Sequence, residues 1–407
     1  MISNKKLSNR NLFLIVGVIA MLFAGVIYAW SILKVPFKKE LAFSDSDLAL
    51  CFTLTMCFFC IGAFIGSKLL KKIGLKTTLI AASLLSGLGF FLTGLINPLH
   101  IAMLYVFYAL FAGLGIGIAY NVIISVVNSW FPDKKGFSSG VLLMGFGAST
   151  LVLGNVIDIL FSMGNIGYQK TYMIFGALIA FVLTAAALII KTPSADVEFP
   201  EVKVVKAKSG EDFILKDYTT KEMLKRFTFW RAFILLVFLT AVGNSVISFA
   251  KDLVVSVGAA DSLATTLVGV LAVCNGLGRI LTGMIFDKFG RKKAMIFSNL
   301  LTIIASAVTL LAVIINSLPV CIIGLCLTGL SYGSCPTVCS AFVSAFYGQK
   351  YFPTNFSIVN FNLIFASFIA SFSSTLMTLS GGFTVPFIML LSLSVVSLFL
   401  NFSIKKP

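Results

Sequence analysis

Arg279 is the residue of this 407-residue chain whose position most clearly promises chemistry. It stands inside an apolar run, eight residues before Asp287, so a helix would carry it about 12 Å from the charged end of that run. At such a depth in lipid an arginine costs at least about 2.5–3.5 kcal/mol on insertion scales, and it is tolerated where it faces protein and meets an anion. A guanidinium keeps its charge and grips a carboxylate through two parallel hydrogen bonds. The competing reading is a structural pairing with backbone or with a carboxylate. Few such acids exist. Asp158, the other candidate charge at membrane depth, lies a full span's length beyond Gly136, which sets it near the outer interface.

Other chemistries find little to work with. Eight cysteines lie in or beside apolar runs, and Cys57 and Cys60 form a CxxC that lacks a second ligand pair. They read as small core residues rather than as a zinc or redox centre. The one histidine, His100, falls in a short loop, so no His-based metal centre is expected. An intramembrane enzyme would need an acid/base or metal constellation at membrane depth. None is present, so neither a catalytic role nor a cofactor is expected.

The elements that must position Arg279 follow from composition. Hydrophobic residues make up 58% of the chain and charged residues 11%, against about 25% charged in a soluble globule. The excess apolar surface needs a lipid bilayer as its solvent. A span takes about 20 apolar residues. Twelve such runs are expected near 12–33, 48–70, 77–96, 101–127, 137–160, 171–191, 229–250, 262–286, 294–315, 319–346, 355–378 and 384–403. The first is too long for a cleaved signal core. The fold class is therefore an all-α, multi-pass integral membrane protein. The net charge of +16 is better explained by the positive-inside rule than by nucleic-acid binding, for which no soluble basic face exists.

Of the 31 basic residues, 25 fall on the side that holds both termini and the long central loop, and five on the other: Lys34, Lys38, Lys39, Lys170 and Lys251. That bias predicts a cell-membrane protein with both termini in the cytoplasm. Lys34 reads as an outer-loop charge. The loop at 192–228 divides the chain into six-helix halves, 1–191 and 229–407. Its end, Thr219-Thr220-Lys221-Glu222, fits a capping box and predicts either a short amphipathic helix on the membrane interface or a solvated linker. One constant offset superposes the Gly66–Lys76 segment on Thr282–Lys292, and Lys134 on Lys350. Two parallel six-helix halves enclosing a midplane site are a known transporter design.

Motifs carry this further. Gly283-x-x-x-Asp287-Lys288-x-Gly290-Arg291-Lys292 resembles the loop motif of the major facilitator superfamily. There the glycines allow close helix approach and the charges form a cytoplasmic gating network. The first copy departs from it, with Lys71 where the family has Asp. Tyr28-Ala29-Trp30-Ser31, Gly113-x-Gly115-x-Gly117-x-x-Tyr120, Trp130-Phe131-Pro132-Asp133-Lys134-Lys135-Gly136, Glu222-Met223-Leu224-Lys225 with Phe229-Trp230, and Asn275-x-x-x-Arg279 resemble the oxalate/formate antiporter family, which is related to the monocarboxylate transporters.

The resemblance implies the twelve-helix major facilitator fold and a small carboxylate substrate. It sets Arg279 on the substrate-binding arginine, Tyr28, Tyr120 and Tyr332 on pocket aromatics, and Asn275 one turn before the arginine. It sets the antiporter's second cation on Leu363, its neighbouring tryptophan on Asn360, another tryptophan on Thr328, and the monocarboxylate transporters' lysine on Ile32. One buried cation matches one carboxylate, so a monocarboxylate is expected, with a polar group read by Asn360 or Asn362. The expected protein is a monomeric exchanger or uniporter. The alternatives are a proton-coupled monocarboxylate symporter or an exporter of another amphiphilic solute.

Overall fold

A computed structural model describes residues 10–96, 100–131, 135–194, 197, 217–348 and 351–404. Twelve helices in it are long and apolar enough to cross a membrane. They are α1 (Arg10–Lys39), α2 (Asp45–Ile73), α3 (Leu75–Thr93), α4 (Ile101–Ser129), α5 (Lys135–Ser162) and α6 (Gly167–Ile189), followed by α7 (Phe227–Ser256), α8 (Asp261–Phe289), α9 (Arg291–Ile314), α10 (Leu318–Tyr347), α11 (Thr354–Ser380) and α12 (Thr384–Phe402). Each coincides with one of the twelve expected runs. Large apolar side chains such as Phe181, Leu188, Phe372 and Phe399 stay exposed on the helices, as lipid-facing residues must, since lipid is as apolar as they are.

The chain forms two compact units. One comprises 1–28 and 54–206, the other 29–53 and 207–407. Helix α1 therefore changes allegiance within its own length. It does so where it tightens to a 3₁₀ segment at Gly25–Ala29.

The internal repeat governs packing inside both units. Gly74 and Gly290 cap α3 and α9 with the same backbone angles, φ 80°, ψ 173° and φ 79°, ψ 173°. That region is open essentially to glycine alone. A Cβ added at Gly62 would overlap the Leu114 carbonyl oxygen, and one at Gly278, its counterpart in the repeat, would overlap that of Leu330. Likewise Gly117 lies flush on the Phe59 carbonyl and Gly333 on that of Asn275. Small residues let helix backbones approach to this distance, so α2 meets α4 as α8 meets α10. Gly283 does not share this role: no described atom lies within 4 Å of where its Cβ would be. The close approach expected there belongs to Gly278, five residues earlier. Lys134 and Lys350, which would extend the repeat, lie outside the described residues.

Most of the central loop lies outside the described residues as well, but its end is in place. Thr219 caps a short helix at Thr220–Leu224 through the expected box, with Thr219 N–H donating to Glu222 Oε2 at 2.8 Å and Glu222 N–H to Thr219 Oγ1 at 3.3 Å. This helix is neither a solvated linker nor free on the lipid interface. Met223 is fully buried in a core with Phe229, Phe342 and Tyr347. Tyr218 N–H donates to the Tyr347 carbonyl at 3.0 Å, and Asn355 Nδ2 donates to the Tyr218 carbonyl at 2.9 Å.

Candidate substrate site

In the second unit, α8 carries Arg279 ten residues before its end at Phe289 and eighteen after its start at Asp261. Arg279 is 5% exposed, and no Asp or Glu among the described residues is buried to that degree. Its carbonyl accepts from Thr337 Oγ1 at 3.4 Å. Asn275, one helical turn earlier, is 1% exposed, and its Oδ1 has no hydrogen-bond donor among the described residues. Its main chain is where Gly329 and Gly333 of α10 press against α8. Tyr332, between those two glycines, turns its ring onto Gly243 of α7. The site is thus carried by close helix contacts that glycine alone permits.

The hydroxyl of Tyr332 is already committed. It donates to Asn244 Oδ1 at 2.7 Å, and Asn244 Nδ2 donates to Ser367 Oγ at 3.0 Å. That hydroxyl therefore does not donate to a carboxylate while this network stands. Asn362 is likewise engaged: it accepts from Thr240 Oγ1 at 2.9 Å and donates to the Val359 carbonyl at 2.7 Å. The first of these is a buried contact between α7 and α11 and the second lies within α11, so Asn362 serves the fold and is not available to read a substrate. Asn360 is half-buried, at the step where the helical run of α11 is interrupted between Val359 and Asn362. Asn244 and Thr240 escaped the sequence reading because nothing in an apolar run distinguishes a network residue from a packing one.

The first unit holds a separate aromatic group. Tyr28 meets the ring of Phe146 edge-on at 5.1 Å, Tyr120 meets Phe146 at 5.1 Å, and Phe59 meets Tyr120 at 5.0 Å. Tyr28 and Tyr120 are thus brought together as a pair, with Phe146 at the centre. Phe59 was missed, although the repeat signals it: the offset that carries Gly62 onto Gly278 also carries Phe59 onto Asn275. By the same offset Ala63 matches Arg279. The two halves repeat in backbone packing and depart in polarity at these two positions.

Of the residues expected at the cytoplasmic gate, Gly290 makes the turn into α9. Arg291 is 8% exposed, with its guanidinium 4.1 Å above the ring of Phe346. The side chain of Asp287 lies outside the described residues. Asp158 is half-buried, one turn before the end of α5. Lys34 corrects its expectation. It is no outer-loop charge: it is 6% exposed, and its Nζ lies 2.7 Å from Asp252 Oδ2 of α7.

The profile of the Major Facilitator Superfamily matches residues 12–251 and 233–407. The chain belongs to that superfamily. Its relatives include the uncharacterized MFS-type transporter YhjX of Escherichia coli, 27% identical over 85% of this chain and 83% of that one. Another is the oxalate:formate antiporter of Oxalobacter formigenes, 28% identical over 71% of this chain and 66% of the relative. Among solved structures, a bacterial homolog of the human lysosomal transporter Spinster aligns with a TM-score of 0.71 at 15% identity, covering 97% of this chain and 96% of that one. At that identity the likeness shows the fold alone. The protein is a multi-pass transporter of the major facilitator superfamily that resembles its oxalate/formate antiporter branch.

Proposed function

We propose that this transporter moves small organic anions, monocarboxylates first, across the cell membrane by alternating access, as an exchanger or a uniporter. The observation that carries this reading is the guanidinium of Arg279, buried in the interior of α8. A cation at that depth is costly and marks a substrate path, and a carboxylate is the ligand its planar fork fits best. The relative whose name pairs oxalate with formate supports a small carboxylate.

One cation suits one carboxylate. Leu363, half-buried, stands where the resemblance sets a second cation, so a dicarboxylate would bury a charge with no counter-charge. Tyr332 is assigned to the site by resemblance, and Asn275 Oδ1, an acceptor, suits a hydroxyl carried by the anion rather than its carboxylate. Tyr28, Tyr120 and Asn360 are assigned to the pocket by resemblance, and Gly283, Asp287, Gly290 and Arg291 to the cytoplasmic gate. The protein works as a monomer, and its termini lie in the cytoplasm, which the 25 to 5 distribution of basic residues supports.

The test is a thermal-shift screen of the purified protein with C1–C4 mono- and dicarboxylates. A ligand at 100 times its Kd adds about 2.7 kcal/mol of stability. Monocarboxylates should raise the melting temperature and their dicarboxylate homologues should not. A uniform absence of shift with every carboxylate, in a protein that melts cooperatively, would overturn the reading.

A further inference from the structure

We infer that Cys274 and Cys326 form a dithiol site on the lipid face of the α8–α10 seam, where a neutral, apolar thiophile of the trivalent arsenical class bridges the two sulfurs.

The two thiols come from different helices of the second unit, 52 residues apart in the chain, and they hydrogen-bond to each other. The backbone sets them there. A Cβ added at Gly329 of α10 would stand 2.7 Å from Cys274 Cβ, so α8 and α10 touch at this level. Cys326 lies three residues before Gly329 and shares its face of α10, since side chains three apart in a helix are neighbours. Their place in apolar runs predicts small core residues, yet both are reduced and half-buried. The other close cysteines differ. Cys57 and Cys60 share one helix, and so do Cys335 and Cys339, which are buried.

The open side of the seam faces lipid. Leu277, Leu281 and Met284 continue the face of α8 that carries Cys274, and all three are exposed, as is Ile323 one turn before Cys326. Apolar side chains remain uncovered along a membrane span where lipid takes the place of protein. Arg279 turns the other way. Five residues past Cys274 it lies about 140° round the helix, and it is buried. Cys274 stands thirteen residues into the 29-residue α8, or about 20 Å from its outer end. A charged reagent is excluded from such a depth, and a neutral apolar one dissolves there.

The chemistry leaves no charge in the lipid. A hydrated trivalent arsenical carries two As–OH groups. Each cysteine sulfur forms an As–S bond as an As–O bond breaks, and the thiol proton leaves with the oxygen as water. Arsenic stays trivalent, two waters depart, and a neutral dithioarsenite joins the helices. Soft sulfur ligands select soft centres of this kind. The bridge starts one residue before Asn275, where Gly329 and Gly333 already press α10 onto α8, so it clasps together the two helices that carry the substrate site.

The probe is phenylarsine oxide, added to the purified, reduced protein, with intact mass and melting temperature as readouts. The parent should take up one equivalent more than Cys274→Ser or Cys326→Ser. Its melting temperature should rise by several degrees, because a bridge across so long a loop constrains the unfolded chain. Neither serine variant should show that rise, since a bridge within one helix closes too short a loop. The added equivalent should be stripped by 2,3-dimercaptopropanol and not by a monothiol. Trypsin gives a check on the unaltered chain, should either variant fail to fold: a bridge from Cys274 to Cys326 joins the Asp252–Arg279 peptide to the peptide that begins at Ala294. Equal uptake and equal melting shifts in the parent and both variants overturn the site. So does a digest of the treated parent in which the Asp252–Arg279 peptide is unlinked.

Discussion

At the residue scale the question is what Arg279 does, and stability and binding separate the answers. A guanidinium serving as a structural ion-pair partner would leave a stranded charge on removal, at a cost of about 3–5 kcal/mol. A guanidinium that serves the substrate leaves nothing stranded. Arg279→Gln is therefore expected to keep or raise the melting temperature without ligand, while carboxylate affinity falls about 10- to 100-fold, the worth of a charge-assisted hydrogen bond. Arg279→Lys keeps the charge and loses the two-pronged grip, so it should bind more weakly than the parent and more tightly than Arg279→Gln. Melting and titration on the same purified variants decide the matter: wild-type affinity in Arg279→Gln ends the assignment, and joint loss of fold and affinity selects the structural role. The sequence exposes this residue because a lone arginine in an apolar run is conspicuous. It does not expose Asn244, which commits the Tyr332 hydroxyl from 88 positions away.

At the element scale the glycines divide into those that packing requires and those it does not. A methyl group at Gly333 would overlap the Asn275 carbonyl and push α10 off α8. Overpacking of this kind typically costs about 1–3 kcal/mol. The same methyl at Gly283 meets open space, and alanine in a helix is favoured over glycine by about 0.5–1 kcal/mol. Gly333→Ala should therefore lower the melting temperature and weaken carboxylate binding, since it shifts the backbone that carries Asn275 and Arg279. Gly283→Ala should leave stability unchanged or slightly higher. The opposite ranking in a melting series would show that the α8–α10 contact is looser than described. Spacing alone does not tell these glycines apart. Both lie inside helices, and only the partner helix, brought in from far along the chain, decides which of them is pressed.

At the scale of the whole molecule, the orientation in the membrane follows from charge and is checked by labelling. Cysteines substituted at Ser209 and Ser46 should react from opposite sides, with Ser46→Cys reached by an impermeant reagent outside intact cells and Ser209→Cys only after permeabilisation. Reaction of both from outside would overturn the arrangement with both ends in the cytoplasm. The twelve spans, the internal repeat and the arginine at depth were all determined by the sequence on its own. The reason is local: the thickness of a bilayer fixes the length of an apolar run, and a turn at φ near 80° selects glycine residue by residue. Tertiary structure alone decided the rest. Lys34 stands at the end of an apolar run and reads as a loop charge until α7 brings Asp252 against it across 218 residues. Asn362 looks available until Thr240 takes its oxygen across 122 residues. Helix α1 looks like one rod until its last third groups with the other unit. A polar side chain in an apolar helix must find a partner, but which one it finds depends on the face each helix turns to its neighbour, and that is settled by the packing of all the helices together.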